Sequence, residues 1–492
     1  MGFLGYIRQR MGARVPLRLY NTLTKHDDVF QLPAGVGSVR MYHCGPTVYD
    51  TSHIGNLRSY VFADLLRRTL IYNGFEVKQV INITDFGHLS SDADSGNDKM
   101  SKALKREKLP LTLENMRALA ERYTAQFIHD LEQLGIDTST IKFPRASDYI
   151  PAEIAMVQAL EEKGYTYAGT EGVYFDTSRY PKYGQLGNID TQGLREGARV
   201  AASEEKRRPT DFLLWKSDKK IGWDSPWGKG FPGWHIECSA MINATLGKQI
   251  DIHTGGVDLM PTHHNNEIAQ SETATGKAPL SRFWMHHAFL NLNKEKISKS
   301  LGNVINLHRL IEKGFHPLSY RYYLLGAHYR TAIDFSWEAL GAAQTAFGKL
   351  IALRLSSGES VGTVPAEWKK LFLARINDDL DTPGSLAVLW EMLKDKHVEP
   401  RDKLAGLLDF DNVLGLHLAE PDTNAKSLAR AELRDDDIPP SVRDLIRERA
   451  TAREQKDWEL ADSLRQRIND SGYHIDDAED ETRVSAIPLR QN

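Results

Sequence analysis

The segment from Ser38 to Ile83 constrains the fold of this chain more than any other. Ser38-Val39-Arg40-Met41-Tyr42 reads as a strand that ends at His43-Cys44-Gly45-Pro46. A helix follows: Ser52 stands where an N-cap belongs, Leu57, Val61, Leu65 and Leu66 recur at helical spacing, and Gly74 marks the stop. Val77-Lys78-Gln79-Val80-Ile81-Asn82-Ile83 is a second strand. A strand–helix–strand unit is the building block of a parallel sheet covered by helices, so the expected class is α/β.

The remaining chain fits around that unit. Residues 17–35 are a lead-in, and 111–136 predict a helix through Leu113, Met116, Leu119, Tyr123, Phe127 and Leu131. The stretch 137–225, mixed in pattern and rich in Gly, Tyr and Pro, reads as an insertion between two halves of a sheet. Strand pattern returns at Gln249–His253 and near Phe283–Leu290. Helices are expected at 306–313, 317–326, 337–356, 366–378 and 383–395. The polar stretch 418–440, with Pro421, Pro439 and Pro440, reads as a linker, and 441–485 as two amphipathic helices followed by a turn or short strands. A length of 492 residues suits about three or four packed units.

Bulk numbers exclude several classes. No run of about 18 apolar residues exists, so no membrane span is expected. The apolar start, Met1 to Tyr6, breaks at Arg8 and Arg10, too soon for a secretory signal, and reads as an extension ahead of the fold. The formal charge of −4 excludes a uniformly basic protein, but a local basic face still suffices for nucleic acid. Two cysteines, Cys44 and Cys238, make no disulfide framework and point to a reducing compartment, hence a cytoplasmic protein. Free cysteine is often just a buried hydrophobe, and both residues remain open to that reading.

Several short motifs carry chemistry. In Ser52-His53-Ile54-Gly55-Asn56 a strand hands over to a helix, whose N-terminal N–H groups and dipole favour phosphate. Gly55 allows close approach, and His53 has a hydrogen to donate as charge builds on a leaving pyrophosphate. Alone, the stretch reads equally as a capped helix with a surface histidine. In Lys294-Glu295-Lys296-Ile297-Ser298-Lys299-Ser300-Leu301-Gly302-Asn303, Lys296 and Lys299 suit a clamp on a polyphosphate, against the alternative of a solvated loop. Lys99-Met100-Ser101-Lys102 mimics it in a different setting. In His263-His264-Asn265-Asn266-Glu267, His263 and Glu267 share a helix face at i,i+4. With Cys44 and Cys238 they would complete a four-ligand zinc site, although ligands this scattered are not the usual zinc ribbon. Gly255-Gly256-Val257-Asp258 follows a strand, where ligand crevices form, and Asp258 suits a ribose. Trp223 and Trp227 read equally as core residues.

Taken together, these residues resemble the cysteinyl-tRNA synthetases, class I aminoacyl-tRNA ligases. The most specific stretches are Tyr42–Asp50, Gly233–Met241, Asp251–Glu267 and Lys296–Ser300, in order, and the resemblance runs from about Leu17 to about Pro488. It implies a class I Rossmann-type nucleotide-binding domain in two halves, 17–136 and 226–292, split by a connective insertion, 137–225. A lysine-loop and stem-contact region (293–336), an α-helical bundle (337–417), the linker (418–440) and a small C-terminal anticodon-binding domain (441–488) follow. It implies one Zn2+ on Cys44, Cys238, His263 and Glu267, L-cysteine against Gly45, Thr47, Thr84 and Trp234, and ATP with Mg2+ against His53, Gly55, Asn56, Gly256, Asp258, Lys296 and Lys299. The tRNA anticodon would meet Arg453, Trp458, Asp462 and Asp477, among cations that otherwise read as a solvated helix pair (Arg443, Arg447, Arg449, Arg453, Lys456, Arg465, Arg467). A monomer is expected.

Two residues depart from the family pattern. Position 56, usually His, is Asn, which can donate to phosphate but carries no charge, so adenylation should survive with altered ATP dependence. Phe231 stands where many members have Arg. Two rival readings remain: a ligase joining cysteine to an amino-sugar inositol, which lacks an anticodon domain, and a catalytically dead paralogue that binds RNA or zinc.

Overall fold

Five parallel strands form the central sheet of the computed structural model, which describes residues 15–86, 99–187, 206–292, 295–296, 304–429, 438–477 and 482–486. The principal elements are strand β1 (Val39–His43), helix α1 (Ile54–Tyr72), β2 (Val77–Ile81), α2 (Leu113–Gln133), β3 (Ile141–Lys142), α3 (Ile150–Glu162), α4 (Trp234–Thr245), β4 (Ile250–Gly256), α5 (Asn265–Thr275) and β5 (Ser281–His287). The strand order is β5-β4-β1-β2-β3, with every pair parallel. The chain direction across the sheet reverses between β1 and β4. At such a switch point the loops leaving the strands' carboxyl ends part and open a crevice. Here those loops begin at Cys44 and Val257, and the strands are stitched at the mouth by Cys44 N–H donating to the Thr254 carbonyl at 3.2 Å.

Helix α1 follows from its sequence. Ile54, Leu57, Tyr60, Val61, Phe62, Leu65, Leu66 and Leu70 are all buried, because sheet lies on one side and helices on the other. Each such side chain contributes roughly 1.5–3 kcal/mol when fully buried. The helix opens differently from expectation. His53, not Ser52, is the N-cap: its Nδ1 accepts the Asn56 N–H at 3.1 Å, and the Asn56 Oδ1 accepts the His53 N–H at 3.4 Å. Imidazole Nδ1 lies as many bonds from Cα as an aspartate oxygen, so it caps in the same way. Asn73 follows the last turn, and Gly74, at φ +86, turns the chain out.

The carboxylate that α1 buries is paired. Asp64 Oδ2 accepts from Arg68 Nε and Arg321 Nη2, both at 2.7 Å. Arg321, wholly buried, also donates to the carbonyls of Leu414 and Leu134. One carboxylate thereby ties α1, the end of α2, α6 (Pro317–Leu325) and the end of a helix at Pro400–Leu414. That last helix lies beyond those picked out from periodicity.

The insertion carries a four-stranded antiparallel sheet, Thr166–Ala168, Gly172–Phe175, Phe212–Ser217 and Gly230–Pro232 in that order. Its last strand lies beyond residue 225, where the return to the catalytic half was placed. Phe231, the departure from the family pattern, is wholly buried there against Phe86 and Trp223. An apolar pocket explains Phe in place of Arg. Trp227 is half-buried and packs near Trp215.

The stretch read as a polar linker is not all linker. Leu418 and Ala425 are buried, and Thr423–Ser427 is a short helix, because these two apolar residues find the bundle core. At the C-terminus, helices Pro440–Glu454 and Trp458–Asp470 and the hairpin Tyr473–Asp477/Thr482–Ala486 share a core of Ile438, Val442, Ile468, Ile475 and Val484. Among the described residues, no helix is long and apolar enough to cross a membrane.

Candidate active site

At the switch point, β1 delivers Cys44, α4 delivers Cys238, and the turn into α5 delivers His263 and Glu267. One ligand atom from each lies within 4.8 Å of the others, and all four residues are buried. His263 sits in a π-helical turn, Met260–His264, rather than on the regular helix expected. Such a turn widens the backbone locally and is frequent at functional sites. It still sets His263 Nε2 2.9 Å from Glu267 Oε1.

The donor set suits zinc, which takes four ligands from thiolate, imidazole and carboxylate. The four groups are also electrostatically linked to one another. A hydrogen bond from Cys44 holds the Cys238 thiol down, against burial, while burial pushes Cys44 up. Burial pushes Glu267 up, but His253 and His263 outweigh it and hold the carboxyl at about 2. Burial pushes His263 down, and Glu267 and Cys238 reverse this, raising it to about 10.

Two further histidines were not picked out as ligands. His253 Nε2 lies 2.8 Å from Glu267 Oε2, and His264 Nε2 lies 3.3 Å from Cys44 Sγ. With Cys44 and Glu267 they make a second ligand cluster. His264 continues outward through His286 to the Thr22 hydroxyl. His264 was visible beside His263, and His253 by its position on β4; only the fold turns them inward.

The expected cysteine contacts border this cluster. Gly45 N–H donates to Asn82 Oδ1 at 2.7 Å, and a Cβ at Gly45 would lie 1.6 Å from the Asn82 carbonyl oxygen. Only glycine fits there. Thr47 bridges Thr84, whose hydroxyl donates to Glu237 Oε2 at 2.9 Å. The half-buried Trp234 ring stands 4.5 Å from that of His263. Glu237 and the wholly buried Glu153 were missed. Burial first, then neighbouring acidic groups, push both well above the usual carboxylate range.

The residues expected to face phosphate lie along the same sheet edge. His53 and Gly55 open α1 after β1, and Gly256 and Asp258 end β4 and its loop. A Cβ on Gly256 would lie 2.4 Å from Asp258 Oδ1, so the turn is tight, and Asp258 itself is exposed. Lys296 pairs with Asn291 through its backbone. Its side chain, and all of Lys299, lie outside the described residues.

In the C-terminal helices, Arg453 is half-buried at the end of the first, and Trp458 is 58% exposed at the start of the second. Asp462 is exposed, and Asp477 ends the first hairpin strand, its side chain outside the described residues. Arg449, one of the cations read as surface, is buried.

A doubly wound parallel sheet, split by an insertion and carrying its polar cluster at the switch point, defines a class I aminoacyl-tRNA synthetase. The tRNA synthetases class I (C) catalytic domain family matches residues 31–345. The fold is shared with Mycobacterium tuberculosis methionyl-tRNA synthetase in complex with methionyl-adenylate (TM-score 0.52, 15% identity, 77% of this chain and 90% of that chain). The cysteinyl-tRNA ligase anticodon binding domain family matches residues 435–484. Cysteine–tRNA ligase 1 of Burkholderia lata is 45% identical over 481 residues, covering 96% of this chain and 98% of that protein. The Treponema denticola cysteine–tRNA ligase is 41% identical over 492 residues, covering 94% and 98%. The chain belongs to the cysteine–tRNA ligase family and joins cysteine to tRNA.

Proposed function

We propose that the chain activates L-cysteine with ATP and Mg2+ as cysteinyl-adenylate and passes the cysteinyl group to the 3′-terminal ribose of tRNA(Cys), one zinc selecting the thiol. The observation that carries this reading is the buried quartet Cys44, Cys238, His263 and Glu267 beside Thr84 and Trp234. Bound there, zinc would supply a site that takes a thiol as thiolate and takes the hydroxyl of serine poorly. A hydrophobic pocket alone separates such near-isosteres weakly.

The chain's own residues do the remaining work. Gly45 lets the substrate backbone approach, Thr84 and Thr47 orient its polar end, and Trp234 closes one side against water. The substrate carboxylate attacks the α-phosphorus and pyrophosphate leaves. His53 Nε2 donates to the polyphosphate as that charge develops, Lys296 and Lys299 neutralise it, and Gly256 and Asp258 hold the nucleoside. A ribose hydroxyl of the tRNA then displaces AMP from the acyl carbon. Catalysis is positioning and charge stabilisation, without a dedicated general base. Arg453, Trp458, Asp462 and Asp477 read the anticodon, Trp458 by stacking. The protein acts as a cytoplasmic monomer.

Purified protein incubated with ATP, tRNA and labelled cysteine or serine tests the reading. Cysteine-specific acid-precipitable label is expected, together with about one zinc per chain by elemental analysis. Equal charging with serine, or a cysteine-specific enzyme without metal, would overturn the zinc account. Cysteine-dependent pyrophosphate exchange without tRNA charging would favour the amino-sugar ligase.

A further inference from the structure

We infer that Asn56 serves adenylation as a positioning residue for His53 rather than as a phosphate ligand. The inference rests on the reading above in which His53 faces the polyphosphate.

His53 is held at three points. Its ring Nδ1 accepts the backbone N–H of Asn56 at 3.1 Å. A nitrogen that accepts carries no hydrogen, so the neutral ring bears its hydrogen on Nε2, on the side away from the helix. The backbone of His53 is held on its outer side by an antiparallel bridge to Asn306, next to the Ile54 N–H bond to the Ile305 carbonyl at 2.8 Å. The Ile54 carbonyl accepts from the buried Tyr320 hydroxyl at 2.8 Å. The third point is the Asn56 side chain, whose Oδ1 takes the His53 N–H and closes the capping box.

The asparagine oxygen is therefore engaged with the backbone of the residue it serves. Position 56 fixes the extended conformation of His53, φ −86 and ψ 163, from which the ring reaches back over the first turn. Asn306 also caps the helix Leu307–Glu312, shortly after the lysine loop, and bridges His53. The box thus holds His53 against the segment that leaves that loop. In this role Asn56 acts through an uncharged acceptor oxygen, and no positive charge at position 56 is called on.

The test is cysteine-dependent ATP–pyrophosphate exchange with wild type, Asn56→Asp, Asn56→Ala and His53→Ala. Aspartate keeps the acceptor for the His53 N–H but has no amide hydrogens and adds a negative charge. A positioning role predicts kcat and KM for ATP within about threefold of wild type in Asn56→Asp. Asn56→Ala loses about fivefold in kcat, the size of a lost cap, with KM for ATP changed less than about twofold. A phosphate-contacting role predicts the reverse: Asn56→Asp falls below Asn56→Ala and KM for ATP rises about tenfold or more, which would overturn the inference. Asn56 is exposed, so every variant should remain folded, with Asn56→Ala unfolding at a slightly lower temperature as the lost cap requires. If His53→Ala retains wild-type exchange, the reading of His53 fails instead, separately from the role of Asn56.

Discussion

Replacing Asp64 by asparagine should cost about 3 kcal/mol, the penalty for breaking a buried ion pair whose partner stays behind. Asp64 and Arg321 are both essentially inaccessible to solvent. The carboxylate takes two charge-assisted bonds of 2.7 Å through Oδ2, while Oδ1 has no partner among the described residues. Asparagine keeps an oxygen facing the arginines, loses the charge, and puts an unsatisfied amide where Oδ1 now stands. Arg321 retains its bonds to Leu414 and Leu134, which limits the loss. Urea unfolding followed by tryptophan fluorescence and circular dichroism reads the shift in the first transition. Arg321→Met, made alone and with Asp64→Asn, closes a double-mutant cycle, and the double variant should be less destabilised than the sum by about 2 kcal/mol. Acidity supplies an independent check. Burial pushes the Asp64 carboxyl up, but Arg321 and Arg68 outweigh it and hold it below its ordinary value. A group depressed in the folded state stabilises fully above its unfolded pKa, about 3.9, and loses that contribution as pH falls through its folded value. The wild-type advantage over Asp64→Asn should therefore be flat from about pH 8 to 5 and shrink below about pH 4. Strict additivity in the cycle, or an advantage that grows in acid, would refute the reasoning.

Cys238→Ser should lower bound zinc well below one per chain by elemental analysis and reduce the preference for cysteine over serine in pyrophosphate exchange. Gly45→Ala places a methyl against the Asn82 carbonyl and should destabilise by about 1–3 kcal/mol, with a raised KM for cysteine. Trp458→Ala should weaken tRNA binding about tenfold, read by filter binding, and leave tRNA-independent pyrophosphate exchange unchanged. Zinc retention should fall as pH falls, because imidazole, thiolate and carboxylate ligands take up protons, and dialysis against a chelator at graded pH measures this.

The strand–helix–strand unit was legible because its apolar spacing and its stops are local signals. The proximity of Cys44, Cys238, His263 and Glu267 could be suggested but not fixed, because only His263 and Glu267 are local to each other, at i,i+4. For Cys44 and Cys238 alike it was the family resemblance that decided against the reading as buried apolar residues. The N-cap was misplaced by one residue because serine is the stronger prior, whereas only the turn geometry shows His53 doing that work. Ala425 and Leu418 were lost in a polar window whose few apolar residues happen to meet the bundle. Glu153 and Glu237 carry no signal at all in one dimension. A glutamate on an amphipathic helix reads as surface, and its burial depends on the insertion folding back over α4.

The cluster at the switch point also sets a schedule for synthesis. Cys44 and Glu267 are 223 residues apart, and β1 borders β4 in the finished sheet. At about 5–20 residues per second, a ribosome takes roughly 11–45 s to make the intervening chain. Until then β1 has β2 on one side and an open edge on the other. A nascent chain ending before Met260 has neither His263 nor Glu267 to complete the proposed metal quartet, so zinc should be captured only after the catalytic half has been synthesised. Arrested chains released at residues 230 and 300 would differ in metal content, the shorter holding none and the longer approaching one per chain.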